Sequence, residues 1–237
     1  SSLTSITIPE NVTSIVSGTF QGCSSIVSMV VDNNNTMYDS RNNCNAIIET
    51  ATNTLIASSL NTIIPNTVTT IATRAFQKSA ITSIDIPNSV VRIEAYAFRW
   101  ATQLNSITIP NSVNYIGDSV FYSCPLDTIR MEAMTPPTIG VNPFSSLPVC
   151  VIPCGTLAAY EASDWASQVG EFVEEGCLTY ELNGGMMNEF GWTSKDDMFQ
   201  ACMADCGVTT LPSLDEIKAT GNDAALTTIC TKLNDVS

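Results

Sequence analysis

The sequence predicts a solenoid of short β-strands stacked in coils with a period of 22–23 residues over residues 1–176, followed by a small, acidic, mainly helical C-terminal domain over residues 177–237. Three observations predict it. Residues 80–98, AITSIDIPNSVVRIEAYAF, and residues 103–121, QLNSITIPNSVNYIGDSVF, are near copies; the repeat grammar stops after Gly176; and the charge balance shifts at about residue 150. A unit this short cannot bury its own apolar face, so it must stack on its neighbours and share a continuous core.

The unit opens with an I-x-I-P element: Ile6, Ile8 and Pro9, then Ile84, Ile86 and Pro87, then Ile107, Ile109 and Pro110, with a looser Thr62, Ile64 and Pro65. Alternation of apolar residues marks a short strand with one face inward, and proline closes it where no ladder donor is needed. The outward positions of that strand are Thr7, Asp85, Thr108 and Arg130, with Ser5, Ser83, Ser106 and Thr128 one step earlier. Next come Val12, Val68, Val90 or Val113 and then Ile15, Ile71, Ile93 or Ile116, a turn followed by a second short apolar alternation. Phe20, Phe76, Phe98 and Phe121 close each unit and supply the aromatic that fills the coil interior. Stacking at strand spacing raises each coil by about 4.8 Å, so five or six coils make a rod on the order of 25–30 Å long.

One unit is too long. Phe20 and Phe76 are 56 residues apart, and the long irregular unit covers about residues 26–76. Within it, Ala46 to Ile48 and Thr54 to Ile56 are expected to pair as a hairpin around Glu49 to Asn53. Asp32, Asn33, Asn34 and Asn35 superficially suggest a calcium loop, but the glycine and the distal glutamate of such a loop are missing, which favours a turn-rich connection.

The pattern L-x-x-I-x-I-P-x-x-V-x-x-I-x-x-x-A-F-x-x-C resembles the BspA-like leucine-rich repeat of bacterial surface proteins. The likeness covers roughly residues 1–176, as four readable units and an altered last one, LDTIRMEAMTPPTIGVNPF, in which Phe144 still falls 23 residues after Phe121. PVCVIPCGTLAAYEASDW resembles the element that ends such arrays, which implies a terminal coil and helix over about 147–176 with Tyr160 and Trp165 packed over the last coil. The resemblance implies a leucine-rich-repeat solenoid and, with it, the surface adhesion and matrix-protein binding associated with that family.

Nine Lys and Arg against 23 Asp and Glu give a net charge of −14, the wrong sign for nucleic acid or an anionic lipid surface. Residues 1–150 hold 9 acids and 6 bases, and residues 151–237 hold 14 acids and 3 bases. The chain has no histidine, which removes Ser-His-Asp and Cys-His nucleophile systems and His-ligated metals. No carboxylate pair stands out, so the expectation is no enzyme, no catalytic residue, no cofactor and no metal. No apolar run is long enough to span a membrane. Ser1 falls inside a repeat, which points to a native N-terminus upstream, so the lack of a targeting segment in this chain carries no weight against export.

Cys23 and Cys124 occupy a repeat slot that elsewhere holds Ser79, Ala101 and Leu147, and a slot of that tolerance is a core site for a buried thiol. Cys150 and Cys154 bridge each other or nothing. Cys177, Cys202, Cys206 and Cys230 lack zinc-ribbon spacing, and their state as disulfides, zinc ligands or packed thiols stays open. In the same segment Ser194 and Asp197 read as a capping box ahead of the stripe Met198, Phe199, Cys202, Met203, Cys206, while Ser213 with Glu216 and the face Leu226, Ile229, Cys230, Leu233 mark further helices. Glu181 and Glu189 flank a glycine-rich hairpin and are the carboxylates to which an enzyme reading would turn.

The resemblance to the BspA-like family implies a non-enzymatic binding or adhesion module, exported or displayed on a bacterial cell surface. It would recognise proteins or glycans of a host or neighbouring cell, with no nucleic-acid partner, no membrane insertion by this fragment, and self-association as an option. The alternative is a structural spacer or assembly element of a larger surface or phage-tail-like protein. The candidate binding face is Thr7, Asp85, Thr108 and Arg130, read either as a solubilising surface or as a polar platform. Arg99 and Trp100 form a second patch of hot-spot residue types, unless Trp100 seals a gap between coils.

Overall fold

Inward isoleucines at fixed spacing become vertical columns when the units stack. The computed structural model describes residues 2–175. Its elements in order are β1 (Ser5–Ile8), β2 (Ser28–Val31), β3 (Tyr38–Asp39), β4 (Ala46–Glu49), β5 (Thr54–Ser58), β6 (Thr70–Ile71), β7 (Arg92–Ile93), β8 (Ser106–Ile109), β9 (Tyr115–Ile116), β10 (Thr128–Met131), β11 (Thr138–Ile139), β12 (Val149–Pro153), α1 (Leu157–Glu161) and β13 (Glu171–Glu175). They wind as a β-solenoid of about eight turns. That exceeds the expected five or six, because the long unit and the C-terminal strands add turns of their own. The expected helical domain over 177–237, with Cys177, Cys202, Cys206 and Cys230, lies outside the described residues.

Each turn has three sides. The I-x-I strands form the first, where β8, β10, β12 and β13 pair in parallel, in that order, and β1 pairs with β2. Register stacks Ile107 on Ile129, Cys150 and Phe172, so the inward column is continuous. The second side is a seven-stranded sheet, β11-β9-β7-β6-β5-β4-β3, in which Ile71, Ile93, Ile116 and Ile139 align. The expected hairpin forms as β4 and β5, antiparallel, with a register shift between Ile47 and Ile48.

On the first side two expected strands do not form: residues 62–65 and 83–87 make no ladder. At the first of these the backbone is committed elsewhere, since Leu60 donates to Ile26 O and Ile63 to Cys44 O, both on the long-unit side. The first side is therefore two sheets with a break between them.

The third side is a string of turns around Phe76, Phe98, Phe121 and Phe144. These rings stack at centroid separations of 4.8, 5.4 and 5.8 Å, and Trp165 tilts against Phe144 to close the column. Tyr160 on α1 donates to Ala133 O and Trp165 Nε1 to Pro137 O, so both buried polar tips of the cap are satisfied. One strand that the repeat did not flag, β13, lies in the expected terminal coil and pairs with β12.

Two apolar clusters fill the interior. The larger runs from Cys44 to Val169, and a smaller one joins Ile8, Ile26, Met29, Val31, Tyr38, Ile47 and Ala57. Asn35 fastens the first coil to the long unit: its amide donates to Pro9 O and Val12 O, and its carbonyl accepts from Met37 N and Tyr38 N. The Asp32–Asn35 stretch is thus a turn whose Asn35 is fully engaged in backbone bonds.

Candidate functional site

The outward positions on the first side are exposed as the repeat predicts, but they are not one face. Thr108 and Arg130 are direct register partners on β8 and β10. Thr7 belongs to the other sheet and sits beside Val30, and Asp85 stands in the unpaired stretch between the two sheets. The row includes apolar side chains the repeat did not flag, with Val30 44% and Ile63 72% exposed. Arg130 forms an ion pair with Glu175 of β13, so its charge is already answered within the chain.

The turns on the third side are different in kind. Positions two residues before and after each phenylalanine take left-handed backbone angles in successive coils. The first coil uses Gly18 (φ 81°) and Gly22 (φ 74°) there, and the fifth phenylalanine has Asn142 before it. Between them, Arg74, Lys78, Tyr96 and Trp100 adopt φ of 64, 58, 63 and 61°, followed by Ser119 and Ser123. Left-handed geometry costs a non-glycine residue about 1–2 kcal/mol. Four bulky side chains in adjacent coils therefore hold conformations that the packed turns around them must impose.

The ladder that imposes them is complete. Arg74, Phe76 and Lys78 N donate to Ala95, Ala97 and Arg99 O of the next coil, and Tyr96, Phe98 and Trp100 N donate to Asp118, Val120 and Tyr122 O. The intervening amides, Ala75, Gln77, Ser79, Ala97, Arg99 and Ala101, close turns within their own coil. Stacking brings cations over rings: the Arg74 guanidinium lies 5.2 Å from the Tyr96 centroid and the Lys78 ammonium 4.8 Å from Trp100. Arg99 lies 4.1 Å from Trp100 and 5.3 Å from both Tyr96 and Tyr122. Its Nε is shielded from solvent and has no hydrogen-bond partner among the described residues. The sequence singled out Arg99 and Trp100; the structure adds Arg74, Lys78, Tyr96 and Tyr122. The signal was present in the register, since residues 74 and 96 share one column and 78 and 100 another.

Beside this ridge runs a shallow groove of about 620 Å³ lined by Ser24, Lys78, Ser79, Ala80, Trp100, Thr102 and Gln103. Among the described residues no group of three or more His, Cys, Asp or Glu side chains stands close enough to hold a metal. Glu181 and Glu189 lie outside the described residues.

Burial pushes the Cys124 and Cys150 thiols up to about 12, so both stay protonated and weakly nucleophilic at neutral pH. Cys124 Sγ donates to Phe98 O, and Cys44 is buried as well. Cys150 is free while Cys154 is disulfide-bonded, so the two do not bridge each other. Leu147, assigned to the same slot as Cys124, is 65% exposed, because the chain has already turned into β12 at Val149.

Among the described residues no helix is long and apolar enough to cross a membrane. No curated protein matches the chain. Solved structures similar to it include a leucine-rich repeat protein from Eubacterium ventriosum, 22% identical over 73% of this chain and 42% of that one, TM-score 0.49. The pneumococcal vaccine antigen PcpA is 14% identical over 73% and 56%, TM-score 0.45. A leucine rich cell surface protein from Faecalibacterium prausnitzii is 22% identical over 75% and 49%, TM-score 0.42. The chain thus spans about half the length of these structures. The family model described as a BspA type leucine rich repeat region matches six copies over residues 1–63 and 54–148. On that match, the chain belongs to the BspA-type leucine-rich-repeat family.

Proposed function

We propose that the chain is a non-enzymatic binding module of a surface-displayed or secreted bacterial repeat protein, recognising a macromolecule of a host or neighbouring cell. The observation that carries this reading is the ridge of Arg74, Lys78, Tyr96, Arg99 and Trp100, where side chains of the types favoured in binding hot spots are kept at strained positions. The family's association with surface adhesion supports the same reading. Thr7, Asp85, Thr108 and Arg130 are a secondary candidate surface, of which only Thr108 and Arg130 are register neighbours.

The test is equilibrium binding of the full chain, at physiological salt, to a panel of matrix proteins and glycans. Saturable binding at micromolar Kd or tighter is expected for at least one member, weakened by Arg99→Gln and not by Asp85→Asn. Silence across the panel together with concentration-dependent self-association would replace this reading with the spacer.

A further inference from the structure

Six cations lie among residues 1–150, and they fall into two groups. Arg41, Arg92 and Arg130 each form an ion pair, with Asp39, Glu94 and Glu175. Arg74, Lys78 and Arg99 have no carboxylate partner among the described residues and gather on one ridge, each against an aromatic ring. In a chain of net charge −14 carboxylates are plentiful, yet among the described residues none is placed against these three.

Resting on the binding-module reading, we propose that this ridge binds an acidic saccharide, whose anionic groups are held by Arg74, Lys78 and Arg99 and whose hydroxyls meet the adjoining groove. The rings beneath the cations fix their positions, so less side-chain freedom is lost when an anion docks. Arg74 and Lys78 lie in one coil and Arg99 in the next, so the positive charge spans two adjacent coils and can meet more than one anionic group of a single chain. The groove offers Ser24, Ser79, Thr102 and Gln103, neutral hydroxyl and amide groups suited to sugar hydroxyls.

The backbone decides between a saccharide and an acidic peptide. From Arg74 to Ser79 and from Tyr96 to Ala101 every amide donor is already bonded within its coil or to the next one. A peptide therefore cannot add as a strand along the ridge, and recognition falls to side chains alone.

The experiment is titration of the full chain with polygalacturonate oligomers, dextran sulfate, neutral dextran and poly-L-glutamate of matched charge. Binding to polygalacturonate or dextran sulfate at least tenfold tighter than to poly-L-glutamate, with none to dextran, is expected. Which of the two binds identifies the anionic group as carboxylate or sulfate. Lys78→Gln, at an exposed side chain, should weaken it about fivefold to tenfold with an unchanged Tm, Arg74→Gln, at a half-buried one, should weaken it by a similar factor, and Trp100→Ala should do so through loss of the Lys78 and Arg99 platform. Equal or tighter binding of poly-L-glutamate, or of dextran, overturns the ligand class, and unaltered affinity in the Lys78 and Arg74 variants overturns the site. Binding only to a matrix protein or a neutral glycan overturns this proposal while leaving the binding-module reading intact. Silence of all four probes overturns this proposal alone, and the binding-module reading falls only if the matrix-protein and glycan panel is silent as well.

Discussion

Gly117 shows how little room a coil leaves where its backbone meets the one beneath. A Cβ built there would lie 2.7 Å from Glu94 C and 2.8 Å from Ala95 Cα, both backbone atoms that a side-chain rotation cannot relieve. Gly117→Ala should therefore cost about 1–3 kcal/mol by overpacking, measured as a lower midpoint in urea with little change in slope. An unchanged midpoint would mean the coils can slide apart locally. At this scale the inward residues were the most legible. Phe76, Phe98 and Phe121 recur at fixed offsets from the prolines, and a stacked aromatic column is the only way to bury them all. The left-handed turns beside them were harder to read, because glycine marks the geometry only in the first coil, and Arg74, Lys78, Tyr96 and Trp100 are residues that ordinarily avoid it.

Among the elements, the hairpin of the long unit is held by charge as well as by packing. Burial by itself would raise the Asp39 carboxyl, but hydrogen bonds and the charge of Arg41 outweigh it and hold the group below its ordinary 3.8. Arg41 also donates to Asn53 at the hairpin turn (2.8 Å) and reaches Thr67 of the next coil (3.3 Å). A carboxylate whose pKa falls on folding contributes stability above its unfolded value, and that contribution is lost as pH falls through the folded one. The difference in Tm between the parent and Arg41→Gln should thus hold steady from about pH 7 to about pH 4 and shrink below it. A difference that stays constant into strong acid would remove Asp39 as the cause. The hairpin was legible from its apolar runs and turn residues. The missing ladder at 62–65 and 83–87 was not, since Thr62, Ile64, Ile84 and Ile86 carry the same alternation as the strands that do form. At 62–65 what differs is where the backbone of residues 60–63 spends its donors, a tertiary matter. Similarly, β13 escaped notice because Val173 faces outward, 39% exposed, and blurs the alternation.

For the molecule as a whole, net charge works against the proposed ligand. A chain at −14 repels a polyanion at a distance, and only within about 8 Å at physiological salt does the ridge outweigh that field. Contact is then selective, since a polyanion gains nothing until it reaches the cations themselves.

The separate N-terminal cluster of Ile8, Ile26, Met29, Val31, Tyr38, Ile47 and Ala57 carries one further consequence. A stack whose coils touch only their neighbours opens from its ends, in units set by how its interior is partitioned. The first two coils should unzip while the remainder stays folded. Under native conditions, amide hydrogens of β1 and β2 are expected to exchange with deuterium at a lower opening free energy than those of β8 and β10. A common value for both sets would mean that the solenoid melts as one body, with the N-terminal cluster no more than a bulge in a single core.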